Sequence, residues 1–228
     1  MRTVTAKPRL LDLFSGAGGA ARGYQQAGFY VVGVDHRPQP RYAGDEFMLA
    51  DALTYPLDGF DAIHASPPCQ GYSPHVTSRS SRYVGSAGKD EPRLIAAVRE
   101  RMPTDVPWVI ENVMGSADEL AAPVMLCGQM FGLDIPRHRL FEASIFLLAP
   151  PHANCRGIAR DAAVRRGWDY RDMTVTGKGR RKGTANRWME LLGIDWKITQ
   201  HGLSEAIPPA FTEWIGAKLM RVLRPARV

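Results

Sequence analysis

The sequence predicts an α/β protein on a doubly wound, mostly parallel sheet with a small basic insert. Seven short apolar runs alternate with helical or loop segments over the first 145 residues, the pattern of parallel strands joined by crossovers. A glycine turn, "SGAGG" (15–19), follows the first run directly. The stretch of about 150–186 shows no strand or helix period and is rich in Gly, Arg and Asp.

The predicted strands are "RLLDLF" (9–14), "YVVGVD" (30–35), "EFMLAD" (46–51), "FDAIHAS" (60–66), "PWVIENV" (107–113), "PVMLCG" (123–128) and "RLFEAS" (139–144). Between the first two, "GGAARGYQQAGF" has the alanine content and length of a helix ending near Gly28. "PRLIAAVRERM" (92–102) is a second helix, with Pro92 suited to a first turn and Leu94, Ile95, Ala97 and Val98 on one side. "NRWMELLGI" reads as a short helix and "PPAFTEWIGAKLMRVL" as a final one begun by prolines.

A chain of 228 residues supports one main domain with a small appended lobe. No apolar run approaches the roughly 18 residues that span a bilayer, so no membrane partner is expected. The start, "MRTVTAKPRLLDLFSG", has no apolar export segment, and a cytoplasmic location is expected. Cys69, Cys127 and Cys155 are odd in number and lack CxxC spacing, which disfavours both a disulfide framework and a zinc knuckle. "HANC" (152–155) offers two metal ligands, but no second pair in the sequence completes a tetrahedral set, and no metal is expected. The net charge is +6. Ten basic and three acidic residues lie between Arg156 and Arg187, so this stretch holds the whole excess. Trp168, Tyr170 and Trp188 are interleaved with those charges, which favours nucleic acid as the partner.

Open parallel α/β sheets bind ligands outside the carboxyl ends of their strands. Five polar features follow the first five predicted strands in turn: the glycine turn, Asp35, Asp51, Cys69 and Glu111. Gly16, Gly18 and Gly19 let a ligand approach the backbone at the start of a helix, whose N–H groups favour an anion. Asp35 suits the two ribose hydroxyls of a nucleoside cofactor. Asp51, followed by Ala52, could take an adenine amino group; a cap or turn is the plainer reading.

A cysteine outside a disulfide is ordinarily a small buried hydrophobe, which is the reading for Cys127 and Cys155. Cys69 differs. Pro67 and Pro68 fix the chain before it, and it opens into "GYSPHVTSRSSRYVGSAGKD", a long polar segment of the kind that forms lids. Arg79 and Arg82 in that segment suit phosphates, as does Ser73. Glu111 follows apolar residues whose burial would keep it protonated, a general-acid arrangement beside a nucleophile.

"DLFSGAGG", "SPPCQGYS", "ENV", "PRHRLFE" and "SEAIPPAFTEWIG", in this order and at compatible spacing, resemble the C5-cytosine DNA methyltransferases that use S-adenosylmethionine. The resemblance covers the chain outside roughly residues 150–186. It implies the class I S-adenosylmethionine methyltransferase fold, with S-adenosylmethionine as cofactor and S-adenosylhomocysteine as product. Cys69 is then the nucleophile for C6 of cytosine, Glu111 the acid at N3, Arg139 the ligand of the cytosine carbonyl and Arg137 its neighbour. Phe14, Gly16, Ala17, Gly18 and Gly19 would border the cofactor, with His36 on the adenine, Asp35 on the ribose, Asp51 and Ala52 at the adenine edge, and Pro68 in the same pocket.

Four departures stand out. Ile135 occupies a place usually held by glutamine, His36 replaces a bulkier residue, and Glu205 stands where asparagine is usual, near the cofactor. The insert is also far shorter than the family's recognition region. The implied organisation is a catalytic and cofactor-binding part over 1–149, a reduced target-recognition insert over 150–186 and a returning segment over 187–228. DNA is the expected partner of a monomer, with Arg180, Arg181 and Lys182 on phosphates and relaxed or short-site recognition. The alternatives are a transfer-RNA cytosine methyltransferase and a catalytically silent nucleic-acid-binding relative.

Overall fold

The computed structural model describes residues 6–72, 92–152, 154–173, 175 and 184–223. Seven strands form one sheet: β1 (Arg9–Leu13), β2 (Tyr30–Asp35), β3 (Glu46–Leu49), β4 (Ala62–Ala65), β5 (Trp108–Asn112), β6 (Val124–Cys127) and β7 (His138–Ala143). Their order is β3-β2-β1-β4-β5-β7-β6. The first five run parallel, whereas β7 is antiparallel to both neighbours. The reversal has a simple cause. Residues 128–137, between β6 and β7, are fewer than the roughly dozen that a parallel crossover needs.

Strand alternation gives the sheet two apolar faces. Leu10, Val31, Ala62, Val109 and Phe141 meet helices α1 (Gly19–Gln26) and α6 (Pro209–Leu223) through Tyr24, Phe211, Ile215 and Leu219. Leu11, Leu13, Val34, Ile63 and Ile110 cover the other face with Ile95 and Val98 of α2 (Ile95–Arg101). Helices α1 and α6 approach closely because Gly23 has no side chain. A Cβ there would lie 2.1 Å from the Pro209 carbonyl oxygen.

The stretch of 150–186 departs from its expected lack of regular structure. Helix α3 (Cys155–Arg166) occupies its first half, capped by the Asn154 side chain accepting from the Gly157 N–H at 3.1 Å. It was hidden because it buries only small residues, Cys155, Ala159, Ala162 and Ala163, among arginines. Ala162 and Ala163 pack with Trp188, Leu191 and Leu192 of α4 (Thr184–Leu192) and with Leu203 of α5 (Gln200–Glu205) into a third apolar cluster. The lobe's packing thus runs beyond residue 186.

The interleaved aromatic residues are used internally. Trp188 is 2% exposed. The guanidinium groups of Arg166 and Arg187 lie 5.3 and 4.9 Å from the Trp168 ring centre, and that of Arg160 lies 5.4 Å from Tyr170. Arg166 also pairs with Asp134 and Glu190. Part of the excess positive charge therefore holds the lobe together. Among the described residues, no helix is long and apolar enough to cross a membrane.

Several polar residues are buried within the sheet's strands. His64 is fully buried, its Nδ1 3.0 Å from the Tyr24 hydroxyl, and burial pushes its pKa down to about 3. The unfolded chain binds this proton below pH 6.5 while the folded chain does not, so stability is full above 6.5 and falls with pH. Between pH 6.5 and 5 the loss should be roughly 2 kcal/mol. Denaturant unfolding of the parent and a His64→Gln variant at pH 7 and pH 5 checks this: the parent should lose about that much more. Equal losses would remove His64 as the cause.

Candidate active site

The five strand-end features predicted from the sequence are brought together in part. The carboxyl ends of β1 and β4 diverge from a reversal in chain order, the position where open α/β sheets open a crevice. A cavity of about 440 Å³ lies there. Phe14, Gly16, Ala17, Gly19, Asp35 and His36 line one side; Pro68, Cys69, Glu111 and Arg139 line another; Glu205 of α5 contributes to the wall. Asp51, Ala52, Gly18 and Arg137 are not among the lining residues. The Asp51 Oδ1 accepts from the Leu53 N–H at 2.9 Å, as in a plain turn. Ala52 is buried, and its carbonyl accepts from Arg101.

The glycine turn needs its glycines. Gly16 and Gly18 have φ of +49° and +86°, the left-handed region that side chains disfavour. A Cβ on Gly18 would also stand 2.7 Å from the Ala43 nitrogen, while one on Gly16 would meet nothing within 4 Å. Gly18 shapes the turn, and Gly16 keeps an open approach. Phe14, a non-glycine residue, also has positive φ, +59°, a strain that residues at functional sites often carry. The Asp35 carboxylate fixes the loop by accepting from the Gly16 N–H at 3.0 Å and the Arg37 N–H at 2.9 Å. Each oxygen retains acceptor capacity towards the cavity. His36 Nδ1 lies 3.5 Å from Oδ1, the oxygen that accepts from the Arg37 N–H.

Cys69 is a half-buried thiol outside any disulfide. Its turn is held at both ends. Asn112, one residue after Glu111, donates from Nδ2 to the Pro67 carbonyl at 2.8 Å, and the Tyr72 N–H closes on the Cys69 carbonyl at 3.1 Å. Sequence reading passed over Asn112; its place in "ENV", directly beside the acid, was the available signal. Tyr72 then donates to Glu119 at 2.7 Å and accepts from the Ile95 N–H at 3.2 Å. Residues 73–91 lie outside the described residues, and with them Ser73, Arg79, Arg82 and the expected lid. The flanking residues Gln70 and Pro92 both line the cavity.

Glu111 is 5% exposed, and burial raises its pKa against the opposing pull of Arg139 and Arg137. Its Oε1 lies 2.9 Å from Arg139 Nε without alignment as a hydrogen bond. Arg139 also donates to the His138 carbonyl at 2.9 Å. Arg137 uses both terminal nitrogens of its guanidinium to hold the fold, while its buried Nε has no hydrogen-bond partner among the described residues. The terminal nitrogens donate to the carbonyls of Val175, Ser204 and Ala206 at 3.0, 2.7 and 2.9 Å, tying β7 to the lobe and to the end of α5. Burial lowers its pKa, while Glu111 and Cys69 favour its charge. That last interaction is reciprocal, so Arg137 favours the Cys69 thiolate.

Beneath the site lies Asp12, which sequence reading also missed. It is fully buried in β1, and neither carboxylate oxygen has a hydrogen-bond partner among the described residues. Burial, then Asp35 and Glu111, hold its pKa well above the usual carboxylate range. Arg180, Arg181 and Lys182 lie outside the described residues. Glu205 is exposed, 3.3 Å from His201 on the next turn of α5.

Ile135, which departs from the family pattern, is buried in the third apolar cluster. Its side chain packs with the lobe, and its polar contact to the arginines is made by the backbone, whose carbonyl accepts from the Arg137 N–H at 2.9 Å.

No family model matches the chain, and no curated protein matches it. Among solved structures, the Entamoeba histolytica methyltransferase EhMeth aligns over 96% of this chain and 100% of its own, at 13% identity and a TM-score of 0.62. The S. pombe Dnmt2 methyltransferase aligns over 95% of this chain and 99% of its own, at 12% identity and a TM-score of 0.57. A candidate DNA modification methyltransferase encoded within an E. coli prophage is 21% identical over 59% of this chain, with a TM-score of 0.41; the chain spans 45% of that protein. The strand order, with its antiparallel seventh strand, and the near-complete alignment with EhMeth and Dnmt2 lead to one conclusion: this chain has the α/β methyltransferase fold.

Proposed function

We propose that this chain is a member of the C5-cytosine methyltransferase family that methylates cytosine in DNA with S-adenosylmethionine. The observation that carries the reading is the convergence of Cys69, Glu111, Arg139 and Asp35 on one cavity at the sheet's carboxyl edge. The residues present fit the cofactor: an open glycine turn at Gly16 and a carboxylate at Asp35 stand on the same cavity as the thiol. Asp35 would hold its ribose, His36 and Phe14 its base, and Pro68 its far wall. When bound, S-adenosylmethionine supplies a methyl group on a positively charged sulfur.

The chain's own residues account for the rest of the chemistry. Arg137 supports the Cys69 thiolate, which adds to C6 of cytosine. Glu111, whose pKa burial raises, gives its proton to N3 as that bond forms. Arg139 stands beside Glu111 to receive the cytosine carbonyl. The electrons released into the ring make C5 nucleophilic, and after methylation, loss of the C5 proton to solvent expels Cys69 as thiolate, while N3 returns its proton to Glu111. The cytosine must leave a stacked duplex to enter the cavity. The 150–186 insert, together with α4, serves as the recognition lobe, with Arg180, Arg181, Lys182, Ser73, Arg79 and Arg82 on phosphates.

Labelled methyl transfer to unmodified duplex DNA and to RNA at equal salt, followed by base-resolution mapping, tests substrate and product together. DNA is expected to be labelled at C5 of cytosine within a short site. Labelling of RNA alone would transfer the assignment to RNA, and binding without labelling would leave a silent relative. Asp35→Ala should raise the cofactor Kd by about 10- to 100-fold in calorimetry, the value of one or two hydrogen bonds to a charged group. An unchanged Kd would remove Asp35 from the ribose.

A further inference from the structure

We propose that Cys127, His138, His152 and Cys155 form a tetrahedral zinc site that pins the recognition lobe to the sheet. One ligand atom from each of the four residues lies within 4.8 Å of every other. A tetrahedral zinc with bonds of 2.0–2.3 Å sets its ligand atoms about 3.3–3.8 Å apart, so a small contraction closes the site. Two sulfurs and two imidazoles are also the donor set of structural zinc centres.

The fold supplies this set from two directions. Cys127 ends β6 and His138 begins β7, and the antiparallel register places them opposite each other. His152 and Cys155 stand at the start of α3, where the Cys155 sulfur is 3.5 Å from His138 Nε2 and the two histidine rings lie 5.3 Å apart, edge to face. Cys127 is fully buried and Cys155 nearly so, while His152 is exposed. The site is therefore closed on its sulfur side and open to metal entry at His152. Both cysteines are thiols rather than a disulfide.

Binding balances simply. The dication displaces the two thiol protons to solvent, and two thiolates neutralise it. That neutrality matters because Arg139 follows His138 and Arg156 follows Cys155 in the chain, and their charge would repel a cation held by neutral ligands alone. The metal would fix His138 between Arg137, which clamps the lobe, and Arg139, which faces Glu111. Metal and catalytic cavity are thus separate sites joined by three consecutive residues.

The test uses the full chain, purified under reducing conditions and incubated with zinc. Elemental analysis after dialysis should find roughly one zinc per chain. Cobalt in its place should give the visible bands of a tetrahedral ion with a thiolate-to-metal charge-transfer band. His152→Ala, at an exposed position, should keep the fold by circular dichroism and weaken zinc at least about tenfold in competition with a chromogenic chelator. Cys127→Ser with Cys155→Ser should abolish the charge-transfer band. Chelation of the parent should lower its melting temperature, and added zinc should restore it. A folded, reduced parent that takes up no zinc overturns the proposal, as does a cobalt spectrum without thiolate character. Zinc retained equally by the double cysteine variant overturns it as well. None of these readouts depends on methyl transfer.

Discussion

Replacing Cys69 with serine is expected to lower methyl transfer to cytosine by at least about 10³-fold while leaving cofactor affinity within roughly twofold. An alcohol in the same turn retains the shape but ionises far less readily than a thiol, so addition to C6 fails before the methyl group can move. The surroundings make the thiol the reactive group: Cys69 lies on the cavity with Glu111 and Arg139, and its thiolate form interacts favourably with Arg137. The turn is also held by contacts that do not involve the sulfur: Asn112 holds Pro67, and the Tyr72 N–H holds the Cys69 carbonyl. Loss of activity should therefore come without loss of fold. DNA carrying 5-fluorocytosine gives an independent readout. Fluorine cannot leave C5 as a cation, so the parent should stay covalently attached and the serine variant should not. A serine variant that still methylates, or a parent that never forms the adduct, would refute the nucleophile assignment.

The parallel core was legible because its strands are continuous apolar runs, and "YVVGVD" appears as β2 with its predicted bounds. Position at strand ends then singled out Asp35, Cys69 and Glu111, which share the cavity. Helix α3 escaped notice because its buried face is one cysteine and three alanines, too small to set an apolar period against the surrounding arginines. Asp12 and His64 escaped it because each sits between apolar neighbours, and sequence alone does not show that both sheet faces are covered at those points. The pairing of Cys127 with His138 is a product of antiparallel register. Linear spacing shows "HANC" as half a site; only the strand reversal brings the other half to it. Asp51 illustrates the opposite case, a residue whose strand-end position suggested a ligand but whose carboxylate closes a local turn.

Glu111→Gln separates proton transfer from simple binding. Glutamine keeps the volume and can still donate an N–H to the base, but it cannot deliver a proton to N3. The expected result is a fall in kcat of about 10²- to 10⁴-fold with a much smaller change in KM. The pH dependence gives the second readout. Burial raises the Glu111 pKa more than Arg139 and Arg137 lower it, so the protonated, active form persists above the ordinary carboxylate range. Activity attributable to it is present below that raised pKa and declines as pH rises through it. The parent should therefore show a high-pH decline in kcat that the glutamine variant lacks. Arg139→Lys places the same logic on the partner, since a single ammonium in place of the guanidinium fork near Glu111 would weaken the carbonyl contact without removing the acid. If Glu111→Gln retained full kcat with the parent's pH profile, the acid would have to be sought elsewhere on the cavity wall, and the raised pKa of Glu111 would be only a consequence of its burial beside β7.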